Sequence, residues 1–216
     1  MSEHAFSAAE RAAVYRAIGE RRDMRHFAGG EVAPAVLARL LAAAHQAPSV
    51  GLMQPWRFIR ITRRELRGQI QALVEAERLR TAQALGERSD DFMKLKVEGI
   101  NDCAEVLVAA LMDNREPHIF GRRTLPEMDL ASLACAIQNL WLAARGEGLG
   151  MGWVSLFDPQ ALADLLGMPA GAKPVAVLCL GPVTAFYPAP MLVQENWAQQ
   201  RPLSEMLFEN QWGECQ

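Results

Sequence analysis

The stretch LASLACAIQNLWLAARGEGLGMGWVSLFDP, from Leu130 to Pro159, changes its hydrophobic period halfway along, and the rest of the chain can be organised around it. Its first part belongs to a helix expected over 127–145, with Leu130, Leu133, Ile137, Leu140, Trp141 and Ala144 on the main face. A helix that is apolar almost all round lies inside a protein or at a subunit interface. Glycines 146, 148, 150 and 152 follow, and GWVSLF (Gly152–Phe157) then reads as a strand. The run GEGLGMG is not a dinucleotide loop. Met151 stands where GxGxxG needs its last glycine, and the run follows a helix instead of a strand.

Working outward, residues 8–19 are Ala-rich and helical up to Gly19, and Pro34 opens a second helix through Val36, Leu37, Leu40, Leu41 and Ala44. APSVGLMQPW, punctuated by Pro48, Gly51 and Pro55, is a structured loop, and WRFIRI (Trp56–Ile61) alternates like a strand. Residues 65–87 are polar and helical. Val106–Met112 is an apolar run that fits a strand or a buried helix segment, and KPVAVLCLGPV (Lys173–Val183) is a further strand. Few strands, irregularly separated by long helices, indicate an α+β fold, not a βαβ alternation. The last stretch, 184–216, has little periodicity. Its Phe186, Tyr187, Trp197, Leu203, Phe208 and Trp212 are too apolar for free solution, so a docked arm is expected. One domain over 1–216 accommodates all of this.

Composition narrows the function classes. The 216 residues carry 22 basic and 25 acidic side chains, a net charge of −3, so neither nucleic acid nor an anionic membrane is expected as the main partner. Cys103, Cys135, Cys179 and Cys215 are scattered without a CxxC pair, which fits a reducing cytoplasm and not a disulfide scaffold. The N-terminus lacks the apolar core of a signal peptide, and the uncharged run from Leu130 to Ala144 is too short to span a bilayer. His4, His26, His45 and His118 show no metal-ligand spacing, so no metal is expected. There is no phosphate-binding P-loop and no GxSxG elbow.

The chemistry is concentrated in ERRDMRHF (Glu20–Phe27), which sets Asp23 among Arg21, Arg22 and Arg25. Three close guanidinium groups suit a phosphate, since arginine offers several N–H donors in a rigid fork. A carboxylate beside them would repel the same phosphate, unless it faces something else. It could also simply pair with Arg22 or Arg25, or cap a turn.

Taken together and in order, RRDMRHF, APSVGLMQPWRF, GLGMGWVSLFDP and QQRPL (Gln199–Leu203) resemble the nitroreductase-like flavoproteins over nearly the whole chain. The resemblance implies an α+β fold with a central mixed sheet surrounded by helices. It also implies a homodimer with FMN at the subunit interface, and a 184–216 arm packed on the dimer partner. Arg21, Arg22, Arg25 and Arg201 can supply charge-assisted bonds to a phosphate. Ser49 and Gln54 offer hydroxyl and amide partners, and Gly150 and Gly152 would let backbone approach a flavin ring. Met24, Met53, Met151 and Leu95, the last in LKVEGI (Leu95–Ile100), complete the contacts that the resemblance implies.

General members of that family have serine where this chain has Asp23, and often asparagine near Met53. RRDMR, APSVGLMQPW, LKVEGI and GWVSLFDP are similar instead to a flavin-consuming branch. In that branch reduced FMN and O2 become 5,6-dimethylbenzimidazole, the lower ligand of vitamin B12, and erythrose 4-phosphate. The similarity implies Asp23 and Ser155 as the two functional side chains, and possible dependence on a separate flavin reductase. Two alternatives stand beside it: an NAD(P)H-dependent nitro- or quinone reductase that keeps its FMN, and a non-catalytic FMN-binding protein.

Overall fold

The structure is a computed structural model describing residues 4–213, so Cys215 lies outside the described residues. Helix α1 (Ala8–Glu20) starts at a reciprocal cap. Ser7 Oγ accepts from the Glu10 N–H while Glu10 accepts from the Ser7 N–H. Then come α2 (Pro34–His45), β1 (Trp56–Ile61), α3 (Arg64–Ala84), α4 (Ser89–Lys94) and β2 (Glu105–Leu111). The second half contains α5 (Met128–Gly146), β3 (Gly150–Val154), α6 (Pro159–Leu165), β4 (Lys173–Gly181) and α7 (Met191–Gln194).

The four strands form one sheet in the order β1-β2-β4-β3, and every neighbouring pair is antiparallel. This corrects the mixed sheet expected from the sequence. Among the described residues the parallel component is a bridge between Asp23 and Met151. The register between β2 and β4 slips at Ala109/Ala110, where Ala110 faces Pro174. Proline has no N–H to give the ladder, so a bulge forms there.

β2 pairs with β1 on one side and β4 on the other, which decides between the strand and the helix segment that its apolar run allowed, and every one of its residues is buried. The cause is a layer on each sheet face. Leu107, Ala109, Ala176, Leu178 and Leu180 point to a core filled by Leu37 and Leu40 of α2 and Leu133, Ile137 and Leu140 of α5. Val106, Val108, Val177 and Cys179 point the other way, to Ile70 and Val74 of α3 and Leu162 of α6. Leu130 departs from the expected main face of α5 and is exposed. The first turn buries Asp129 instead, because Arg115 and Arg122 both pair with it.

Strand β3 begins two residues before the expected GWVSLF and ends at Val154, so Ser155 lies just past it. The hydrogen-bonding partner β4 terminates the pairing at Val177 opposite Val154. The arm is docked on its own chain in its first half. Phe186 lies under Arg145, and Trp197 is stacked between Arg88 and Phe92. Beyond residue 200 it is mostly exposed. No helix among the described residues is long and apolar enough to cross a membrane.

Candidate functional site

The turn after α1 is fixed from three sides. The Glu20 carboxylate pairs with Arg145 of α5, which ties the end of α1 to the long buried helix. Arg22 folds back and donates to the carbonyls of Gly19 and Arg21, both at 2.8 Å, and to Pro188 of the arm at 3.2 Å. The Gly19 carbonyl belongs to the last helical turn, which lacks intrahelical partners, so Arg22 acts as a side-chain cap. Arg21 points elsewhere. Its guanidinium stacks 4.5 Å from the centre of the Trp141 ring and has no hydrogen-bond partner among the described residues. The Trp141 indole N–H donates to the Arg22 carbonyl at 3.3 Å, so one tryptophan of α5 supports both arginines.

Next along the chain, residues 23–25 lie along β3. The Met24 N–H donates to the Met151 carbonyl at 3.0 Å. Arg25 Nη1 and Nη2 sit 2.7 and 2.8 Å from the two oxygens of Asp23, a two-point pair. Nη2 also donates to the Trp153 carbonyl at 2.8 Å, while the Trp153 N–H donates to Asp23 Oδ1 at 2.9 Å. The hydroxyl of Tyr187 accepts from the backbone N–H groups of Arg25 and His26 and lies 2.6 Å from His26 Nδ1. Of the readings left open for Asp23, the pair with Arg25 is the one observed.

Gly150 and Gly152 have a different purpose from the one expected. A Cβ on Gly152 would stand 2.2 Å from the Met24 carbonyl oxygen and 2.6 Å from Arg25 Nη1. One on Gly150 would meet Val183 at 2.4 Å and Met24 at 3.1 Å. The space above these glycines admits the chain's own 23–25 segment, and Met24 and Met151 are both buried in that contact.

Asp23, Arg21, Arg22 and Arg25 line a cavity of about 600 Å³, and Ser155 and Leu95 line it as well. Phe92, Leu156, Leu192 and Trp197 make its apolar wall. The Ser155 hydroxyl is exposed to this space and has no partner among the described residues. The Asp23 side chain is partly open to the cavity, yet the protein around it displaces enough water to raise its carboxyl pKa. The Arg25 guanidinium, the Trp153 N–H and Arg21 oppose that rise without cancelling it. Desolvation outweighs the arginines.

Ser49, Met53 and Gln54 fall elsewhere. Ser49 Oγ accepts from the Gln54 N–H at 3.0 Å, and Ser132 of α5 accepts from the Val50 N–H at 3.0 Å. Gly51, Leu52 and Gln54 all have positive φ in this tight loop. Met53 lines a smaller cavity of about 340 Å³ under Ile119 and Phe120. Ser132 and Trp141 are nine positions apart on α5, about 14 Å along the helix axis, so the two groups occupy opposite ends of α5. Arg201 is exposed and does not line the larger cavity, although its neighbour Gln200 does. Among the described residues no group of three His, Cys, Asp or Glu side chains could hold a metal ion. Sequence reading placed Trp141 on a helix face and Tyr187 and Trp197 in the arm but gave none of them, nor Trp153, a part in the site, since each is far along the chain from the loop or helix it supports.

Comparison with known proteins agrees with this architecture. The model of the nitroreductase family matches residues 18–182. A 5,6-dimethylbenzimidazole synthase of Rhodospirillum rubrum is 40% identical over 185 residues, covering 84% of this chain and 87% of that protein. A crystal structure of a BluB-like flavoprotein from Clostridium difficile superposes with a TM-score of 0.67, covering 87% of this chain and 99% of that one at 18% identity. A crystal structure of iodotyrosine deiodinase bound to FMN and 3-iodo-L-tyrosine gives 0.66, with 81% and 92% coverage at 22% identity. At those identities the two structures speak for the fold alone. An all-antiparallel sheet between helical layers, an arginine-rich turn laid on its last strand and a matching family model lead to one assignment: the chain belongs to the nitroreductase family.

Proposed function

We propose that this chain is a 5,6-dimethylbenzimidazole synthase, which uses O2 to fragment reduced FMN into 5,6-dimethylbenzimidazole and erythrose 4-phosphate. The observation that carries the reading is that Asp23 and Ser155 open into one cavity with Arg21. The relative at 40% identity carries that name.

The residues present fit the flavin. The cavity has the size of a small-molecule site. Arg21 has donors to spare beside an aromatic plane, and Phe92, Leu156, Leu192 and Trp197 add apolar lining. Bound reduced FMN supplies both the electrons for O2 and the carbon skeleton of the product. Arg21 would hold the phosphate, with Arg201 as a second candidate. Asp23 lines the same cavity as Arg21 and would serve as the base that accepts a proton from the bound flavin. Ser155 offers an uncommitted hydroxyl to orient the ring. The apolar wall excludes water.

The working unit is a homodimer. Met53 lines a cavity separate from the one that Arg21 and Asp23 line, and pairing of two copies would let one flavin use both groups. Phe6, Tyr15, Leu52, Ile119, Phe120 and Trp212 are all more than 60% exposed, a large amount of apolar surface for a free monomer. No metal takes part, and the setting is cytoplasmic, where a separate reductase supplies reduced FMN.

The test adds O2 to protein mixed with chemically reduced FMN and seeks 5,6-dimethylbenzimidazole by mass spectrometry. Wild type forms it, whereas Asp23→Asn binds reduced FMN and lets it reoxidise with little or no product. Recovery of all the flavin as intact FMN from wild type, with steady NAD(P)H oxidation on nitroaromatics, would establish the reductase instead.

A further inference from the structure

We propose that Arg25 is a positioning residue for Asp23, holding the carboxylate with both ends of its guanidinium instead of binding the flavin phosphate. The inference rests on the reading of Asp23 as the base and assigns the residue that aims it.

Counting donors separates the arginines. Arg25 Nη2 spends both of its N–H groups, one on Asp23 Oδ2 and one on the Trp153 carbonyl. Nη1 is committed to Asp23 Oδ1 and lies so close over Gly152 that a single methyl group there would collide with it. The side chain is 10% exposed, and its own backbone N–H is taken by the Tyr187 hydroxyl. A phosphate approaching this guanidinium would have to displace Asp23 and then sit beside the displaced negative charge. Arg21 has neither commitment, since its planar group rests on Trp141 with its donors free of partners among the described residues. The phosphate therefore goes to Arg21 and the carboxylate to Arg25.

The same count identifies the reacting oxygen. Oδ1 accepts from both Arg25 and the Trp153 N–H, which uses its two lone pairs, while Oδ2 accepts from Arg25 alone. Oδ2 is the oxygen with a lone pair left to receive a proton.

Around Asp23 the charged and titratable groups are few. Arg21 and Arg25 come from its own loop, β3 contributes the Trp153 N–H, and from β4 the Cys179 thiol lies near Arg25. Of these, the Arg25 charge is the strongest influence keeping the carboxyl ionised against desolvation. Without it Asp23 stays protonated to higher pH, and the acid limb of the product-yield profile moves up.

The experiment compares Arg25→Met, Arg25→Lys and Arg21→Met with wild type. Three readouts are taken: the ratio of FMN to riboflavin affinity, the titration of the Asp23 carboxyl by 13C NMR, and product per flavin oxidised across pH. Arg25→Met keeps the FMN preference within about three-fold, raises the Asp23 titration and lowers product yield roughly ten-fold or more, with recovery as pH is raised. Arg25→Lys keeps the charge without the fork and falls between. Arg21→Met loses the FMN preference. Equal affinity of Arg25→Met for FMN and riboflavin overturns the proposal.

Should Arg25→Met not fold, guanidinium 15N resonances of the wild type decide the matter. Those of Arg21 respond to FMN but not to riboflavin, and those of Arg25 respond alike to both. A phosphate-dependent response at Arg25 overturns the proposal. A wild-type product ratio in Asp23→Asn removes the base reading alone, and the NMR measurements then still decide what Arg25 holds.

Discussion

Replacing Gly152 by alanine tests the contact on which the whole arginine turn rests. The added methyl carbon would lie 2.2 Å from the Met24 carbonyl oxygen and 2.6 Å from Arg25 Nη1, while ordinary contacts lie near 3.5 Å. One of these neighbours is backbone, so the 23–25 segment must lift from β3 by ~1 Å. Overpacking of that order costs about 1–3 kcal/mol. Loss of the Met24–Met151 backbone bond adds ~0.5–1.5 kcal/mol, giving ~2–4 kcal/mol altogether. For a chain of this length that lowers Tm by roughly 5–15 °C. The assay is calorimetric melting without flavin, followed by FMN titration, with Gly68→Ala as control. Gly68 is exposed in α3 with nothing within 4 Å of an added Cβ, so alanine there should stabilise by ~0.5–1 kcal/mol. If Gly152→Ala melted within a degree of wild type and kept its FMN affinity, the packing of 23–25 on β3 would be wrong as described.

Arg21→Ala should weaken FMN about ten-fold or more, since a charge-assisted bond contributes ~1.5–3 kcal/mol, and leave riboflavin nearly unaffected; isothermal titration with both flavins reads this directly. Ser155→Ala should bind FMN normally and lose most product, because removing an oriented donor costs ~2.7–4 kcal/mol in comparable sites; an unchanged yield by mass spectrometry would leave that hydroxyl without a role. The Asp23 carboxyl titrates higher in the folded than in the unfolded chain, so its contribution to stability is present below the ordinary aspartate pKa and lost as pH rises through the folded value. Denaturant melts without flavin should therefore show wild type losing stability relative to Asp23→Asn from about pH 4 upward. Static light scattering should find a dimer at micromolar concentration.

The period of α5 and the apolar strands were legible because each element's neighbours on the sheet impose a pattern on its own sequence. Leu133, Ile137 and Leu140 follow helical spacing for the same reason that they are buried. The sequence pattern failed where the environment is made by distant residues. Leu130 looks like its partners on the helix, but two arginines at 115 and 122 draw Asp129 inward and leave it outside. Strand β3 starts early because β4 and Met24 bracket Gly150 and Met151, contacts that local spacing does not encode.

At the site, the residues of the arginine turn were legible but their division of work was not. Three arginines within five positions carry equal weight as letters, while in space one caps a helix, one stacks on Trp141 and one grips Asp23. The glycines pointed correctly to a close approach. Which chain makes that approach depends on a segment more than 120 residues away.

The parallel bridge between Asp23 and Met151 bears on how this molecule behaves outside its reaction. β3 is the outermost strand on its side of the sheet, and its free rim would offer unpaired amide groups to any other chain. Met24 caps one of those groups, and Asp23 and Arg25 take the N–H and carbonyl of Trp153. The turn proposed to hold the flavin thus also shields a surface prone to intermolecular β-pairing. Substitutions that free this turn should lower solubility along with chemistry, and their inactivity in crude extracts would reflect precipitation as much as lost catalysis.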